Sequence, residues 1–215
     1  MYKKLLNLIK NDQVFEEFFF IGGSAIASYL NHRISYDVDL ISEKKLDLKL
    51  IEYIVAKYNA RFIPDKNEAT FRINTGENLR NYKVEFMING IKLEVFYPNN
   101  LMQLEILKKY KQKANEYIGI KRLPLKALGE LKLIALFNRN KIRDLYDIYY
   151  LFKENVIDCE DIDRYLSLKY YKTFIEFLNE FTDDGSESLD FEDNKEITLD
   201  TIKENFKKKY IERCM

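Results

Sequence analysis

Residues 18–42, FFFIGGSAIASYLNHRISYDVDLIS, bring a glycine pair, a serine and two aspartates one residue apart into one short segment. Gly22 and Gly23 end an apolar run and Ser24 opens a helical one. Bare backbone and unpaired N–H groups at a helix start therefore face whatever binds there, an environment that suits a phosphate. Asp37 and Asp39 alternate with Val38 and Leu40, which puts both carboxylates on one face of a strand. Neighbouring carboxylates repel each other, and a divalent cation relieves that. Magnesium takes few protein carboxylates and completes its shell with water and substrate phosphates. Each feature alone is usually structural; together, in strand–turn–helix–strand order, they point to a metal-bridged nucleoside triphosphate (NTP).

The elements that must position these groups follow from periodicity. In the first hundred residues FFFIG, SAIASYLNH, DVDLIS and LDLKLIEYIVAKY give βαβα order. After Pro64, TFRINTG, YKVEFMING and IKLEVFYP read as strands, the last two joined by the hairpin signal Asn89-Gly90. In IKLEVFYP, Glu94 shares a face with Lys92 and Phe96, while Leu93, Val95 and Tyr97 take the other. From Leu101 the segments LMQLEILKKYKQKANEY, PLKALGELKLIALFNRN, IRDLYDIYYLFKEN, DIDRYLSLKYYKTFIEFLNEF and LDTIKENFKKKYIERC all carry helical spacing, with Pro124 placed as a first helical residue. An α/β half, 1–100, thus precedes a helical half, 101–215. The acidic run DDGSESLDFEDNKE, 183–196, reads as a solvated loop whose spacing fits no EF-hand calcium site.

Composition narrows the classes. With 215 residues and 47% hydrophobic content the chain can bury a core. It has no apolar run of roughly 20 residues, and its N-terminus turns polar too early for a signal peptide, so a cytoplasmic protein without membrane association is expected. Cys159 and Cys214 lie far apart without a CxxC motif, and His32 is the single histidine, so neither a disulfide nor structural zinc is expected. The net charge of zero hides an asymmetry: residues 101–143 carry 11 Lys/Arg against 3 Asp/Glu, and 144–200 carry 5 against 17. Attraction between helical layers and a phosphate-binding surface both explain it.

A second constellation lies in LKLIALFNRNKIRDLYDIYYLF, 131–152. Lys132 and Arg139 are two helical turns apart on one helix, and Asp144 and Asp147 are three apart on the next, so their charges can converge on a cleft. The plainer alternative is an ordinary surface pair such as Arg143 with Asp147.

The Gly-Ser turn followed by DxD resembles the nucleotidyltransferase superfamily related to DNA polymerase β. That resemblance implies an α+β chain: an N-terminal nucleotidyltransferase fold, a mixed sheet flanked by helices, followed by a C-terminal helical bundle. It also implies a third carboxylate on an adjacent strand, for which Glu94 is the candidate and Glu85 the fallback. A glutamate where aspartate is commoner leaves metal ligand and general base both open. GGSA…HRISYDVDLIS followed by LKLIALFNRNKIRDLYDIYYL is similar to the abortive-infection AbiEii/AbiGii toxin nucleotidyltransferases over roughly residues 18–152. The family implies Mg2+ on Asp37, Asp39 and Glu94, and nucleotide binding by Gly22, Gly23, Ser24, Arg33 and Ser35. It further implies catalytic or nucleotide-binding roles for Lys132 and Asp144, phosphate contacts from Arg139 and Arg143, and structural roles for Asp147 and His32. The implied activity is transfer of a nucleoside monophosphate from an NTP to an acceptor hydroxyl, with RNA such as the tRNA 3′ end leading. The basic segment with Tyr110 and Tyr117 offers such an RNA phosphate contacts and stacking. A small-molecule or protein acceptor, or a silent nucleotide-binding module, is the alternative. A toxin also implies a separately encoded antitoxin that need not bind it. Helices within 156–215 are assigned no chemistry.

Overall fold

The structure, a computed structural model, describes residues 1–98, 100–167, 171–183, 185, 189–191 and 197–215, so most of the acidic run 183–196 lies outside the described residues. Two compact units emerge: residues 1–25 with 35–124, and residues 26–34 with 125–215.

The first unit holds a seven-stranded sheet of β1 (Phe18–Ile21), β2 (Val38–Ser42), β3 (Arg61–Ile63), β4 (Lys83–Ile88), β5 (Ile91–Phe96), β6 (Asn115–Tyr117) and β7 (Ile120–Arg122). The strand order is β3-β4-β5-β2-β1-β7-β6. Pairs β2/β5 and β1/β7 are parallel and the others antiparallel, so the sheet is mixed, as expected. With it lie α1 (Tyr2–Ile9), α3 (Lys49–Tyr58), α4 (Glu68–Thr75), α5 (Leu101–Tyr110) and the start of α2 (Gly22–Leu30). Alternation does the sorting. Val38, Leu40, Val84, Phe86, Leu93 and Val95 are buried on one face, whereas Asp39, Lys83, Glu85, Lys92 and Glu94 stay half-buried on the other. Each large apolar side chain so buried contributes about 1.5–3 kcal/mol. Asn89 and Gly90 both take positive φ, 50° and 76°, and turn β4 into β5 as the hairpin signal requires.

The structure departs from three expectations in this unit. TFRINTG is not a strand: its residues belong to α4, none of whose side chains is buried, and Gly76 ends that helix in the left-handed conformation with its N–H on the Arg72 carbonyl. Apolar alternation at Phe71 and Ile73 met no sheet face. The helix expected over 101–117 stops at Tyr110, and Asn115–Tyr117 turns through Ile118 and Gly119, both at positive φ, into β7. Because β7 pairs with β1 (Phe19 with Lys121, Phe20 with Arg122), this unit runs to Pro124 rather than ending near residue 100.

The second unit is helical: the end of α2 with α6 (Leu125–Asn138), α7 (Ile142–Lys153), α8 (Cys159–Leu166), α9 (Phe174–Glu180) and α10 (Leu199–Cys214). Helix α6 begins one residue after Pro124 and is buried on nearly every side, including Glu130 and Lys132, which makes it the central helix of this unit. Phe174 sits 4.9 Å from Phe206 and Phe137 4.9 Å from Phe177, ring centre to ring centre, at the edge-to-face angles aromatic pairs favour. The periodic run 161–181 divides into two helices, α9 being capped by Thr173 through the Glu176 N–H.

The cysteine expectation is corrected here: Cys159 and Cys214 form a disulfide, Cα atoms 5.9 Å apart, that ties the start of α8 to the end of α10. Their separation of 55 residues hid the pairing in the sequence. Cys214→Ser, or reduction with dithiothreitol, is expected to cost about 2–4 kcal/mol in urea unfolding.

Candidate active site

In the first unit, β1 delivers the chain to Gly22 at φ 77°, a left-handed conformation that glycine adopts without penalty. The space a Cβ would need there is filled by the Asp39 carboxylate, so the turn and the DxD pair abut. Ser24 is buried; its Oγ lies 2.8 Å from Ser35 Oγ and donates to the Asp37 carbonyl at 2.5 Å. Its hydroxyl thus pins the backbone that carries Asp37 while its backbone stays at the start of α2. Gly22→Ala is expected to force a non-glycine residue into the left-handed region at about 1–2 kcal/mol and to displace Asp39. Stability in urea should fall modestly, while nucleotidyl transfer should fall by more than about tenfold.

Glu94 stands directly opposite Asp39 across β2/β5, and Glu85 opposite Glu94 across β4/β5. Two like charges face to face would destabilise the hairpin. Lysines offset them: Lys83 Nζ is 2.6 Å from Glu85 and 3.6 Å from Glu94, and Lys92 Nζ is 3.7 Å from each. Burial, with Glu85 beside it, raises the Glu94 pKa despite both lysines. Burial disfavours the Lys92 ammonium, but Glu94, Glu85, Asp39 and Asp37 outweigh that and raise its pKa. Among the described residues no group of three or more His, Cys, Asp or Glu side chains is arranged to hold a metal ion. Two carboxylates next to a glycine turn nevertheless match the donor set that magnesium takes when substrate oxygens and water complete its shell.

The second unit gathers the other motif. Asp147, fully buried, accepts Arg33 Nε at 2.7 Å and Arg33 Nη2 at 2.9 Å, and its Oδ1 is 2.7 Å from His32 Nε2. Lys132 Nζ lies 2.7 Å from Asp144 and 3.1 Å from Asp147, and Arg139 Nε donates to Asp144 at 2.7 Å. Burial alone would raise both aspartates; Lys132 and Arg139 lower Asp144, and Arg33 with Lys132 holds Asp147 well below the usual carboxylate range. Lys132, though buried, is raised by Asp144 and then Asp147. His32 is likewise buried, with its Nε2 on a carboxylate and its Nδ1 without a hydrogen-bond partner among the described residues. Arg139 is exposed beyond its contact with Asp144, and Arg143 is half-buried.

The expected residues are therefore brought together as two sets, one in each unit: the turn, Ser35, Asp37, Asp39 and Glu94 in the first; Arg33, Lys132, Arg139, Asp144 and Asp147 in the second. Sequence reasoning left Lys83 and Lys92 without a role; their only signal was a place on the face of Glu85 and Glu94. The basic and acidic segments do pair within the second unit, through Lys126 with Asp161 as well as Lys132 and Arg139 with Asp144. In the first unit Lys109 and Lys113 lie 4.6 and 5.9 Å from the centre of the Tyr110 ring. No helix among the described residues is long and apolar enough to cross a membrane.

Comparison with solved structures finds the same fold in several chains, three of which follow. JHP933 from Helicobacter pylori has a TM-score of 0.57 at 16% identity, covering 97% of this chain and 86% of that one. A putative nucleotidyltransferase from H. pylori has 0.58 at 17%, covering 97% and 91%. The nucleotidyltransferase toxin MenT4 from Mycobacterium tuberculosis H37Rv has 0.57 at 14%, covering 97% and 80%. No curated protein matches the chain. The family model described as nucleotidyl transferase AbiEii toxin, type IV toxin–antitoxin system, matches residues 4–210, and the chain belongs to that family of nucleotidyltransferase toxins.

Proposed function

We propose that the protein transfers a nucleoside monophosphate from an NTP to an RNA hydroxyl, with the tRNA 3′ end as the leading acceptor, and that the first unit carries the chemistry. The observation that supports this most is the abutment of the Gly22 turn on Asp39, which sets a phosphate cradle and a carboxylate pair side by side. The N–H groups of Gly22, Gly23 and Ser24 receive the triphosphate at the positive end of α2. Asp37 and Asp39 are the proposed ligands of Mg2+. Bound there, the cation would offset the triphosphate charge and polarise the reacting phosphate. The acceptor hydroxyl attacks the α-phosphorus; the new P–O bond forms as the bond to pyrophosphate breaks, and the hydroxyl proton passes to Glu94. Opposite Asp39, and with its pKa raised by burial in spite of both lysines, Glu94 suits this proton-accepting place.

In the second unit Lys132, Asp144, Asp147, Arg33 and His32 act by fixing α6, α7 and the end of α2, and Arg139 and Arg143 serve phosphate contact. Exposed Lys108, Lys109 and Lys113 supply charge for RNA phosphates, whereas Tyr110, expected to stack on RNA, is buried beneath Lys109 and Lys113 and offers no such surface. A type IV system pairs the toxin with a separately encoded antitoxin, which need not bind this chain. The test is incubation of the purified protein with each α-labelled NTP, Mg2+ and total cellular tRNA, read on a denaturing gel. Label on tRNA is expected. Unlabelled tRNA with Mg2+-dependent nucleotide binding intact would move the acceptor to a small molecule or protein.

A further inference from the structure

Lys92 sits where the sheet register makes it part of the transfer site. The parallel pairing of Val38 with Leu93 and Asp39 with Glu94, continued by one step, sets Lys92 beside Asp37. Unlike Lys83, whose Nζ is 2.6 Å from Glu85, Lys92 Nζ is, among the described residues, no nearer than 3.7 Å to any carboxylate and without a hydrogen bond. Its side chain is 32% exposed, so the ammonium is held in place by surrounding charge while its three N–H donors remain available to a ligand. Glu85 already has its close cation in Lys83, so neutralising Glu85 does not account for Lys92. The face around it carries Asp37, Asp39, Glu85 and Glu94 against two lysines, an acidic surface that would repel a triphosphate arriving with only one divalent cation. An ammonium with unused donors next to Asp37 answers that repulsion.

We propose that Lys92 is a nucleotide-binding residue of the transfer reaction, donating to the phosphates of the Mg2+-bound NTP; this rests on the assignment of Asp37 and Asp39 to that nucleotide. The test is isothermal titration of the full chain with the Mg2+ complexes of ATP, GTP, CTP and UTP, comparing wild type with Lys92→Met, Lys92→Arg and Lys83→Met. A charge-assisted hydrogen bond corresponds to about a 10–100-fold change in Kd. Lys92→Met should weaken binding by that factor, Lys92→Arg should stay within about threefold of wild type, and Lys83→Met, whose ammonium is held by Glu85 in the wild type, should weaken it by no more than about threefold. A cooperative urea transition for Lys92→Met, with a midpoint lowered only modestly by the lost offset to Glu85 and Glu94, separates lost contact from lost fold. A wild-type Kd in folded Lys92→Met, or equal weakening by Lys83→Met, overturns the assignment. Wild type binding none of the four nucleotides would instead overturn the nucleotide assignment of Asp37 and Asp39, and this one with it.

Discussion

Asp37→Ala is expected to lower nucleotidyl transfer by at least about a thousandfold while leaving the fold intact. The magnitude follows from what a metal-holding carboxylate does: the cation stabilises transition-state charge by several kcal/mol, and each 1.36 kcal/mol is about tenfold in rate. The preserved fold follows from placement. Asp37 precedes β2 and is half-buried, and the contact that fixes its backbone comes from Ser24 to its carbonyl, which alanine keeps. Its side chain also contributes to a repulsive cluster with Asp39, so truncation removes an unfavourable charge. Single-turnover transfer at saturating NTP, alongside circular dichroism of the variant, checks both halves. Loss of helical signal together with activity would return Asp37 to a structural role.

Asp147→Asn should have the opposite signature, a large loss of stability. Removing one partner from a buried ion-pair network costs about 3–5 kcal/mol because the remaining charges stay buried without compensation. Here Arg33 and Lys132 would be left so, and His32 Nε2 would lose its carboxylate. The pH dependence has a definite sign. The folded pKa of Asp147 is depressed, so its stabilisation is fully present above the unfolded aspartate value of about 3.9 and disappears as pH falls through the lower folded pKa. The stability gap between wild type and Asp147→Asn should thus hold from pH 7 down to about 4 and narrow below it, in urea titrations at each pH. A variant within about 0.5 kcal/mol of wild type at pH 7 would mean the network contributes nothing net.

What could be read from the residues was whatever is local. The glycine turn needs only Gly22 and its neighbours, the DxD pair only the period of a strand, and the β4–β5 hairpin only Asn89-Gly90. Each lies within a few residues and has one physical solution. The hairpin between β6 and β7 has the same geometry, but Ile118 fills the place where asparagine would announce it, so the surrounding helical periodicity prevailed. Phe71 and Ile73 alternated as in a strand although no sheet face awaited them. The remaining misses are tertiary. Asp147 is expected to be structural, but its partners were not legible: Arg33 and His32 meet it from more than a hundred residues away, and Lys132 from the neighbouring helix. Lys92 gains meaning only once β5 lies parallel to β2, and the disulfide only once α10 returns to α8.

The most direct measurement is a crystal structure with Mn2+ in place of Mg2+ and a non-hydrolysable NTP, read by anomalous scattering. An ion bound by both Asp37 and Asp39 at about 2.2 Å, with the triphosphate on the Gly22–Ser24 turn, is the expected result. A metal and triphosphate bound away from that turn would contradict it.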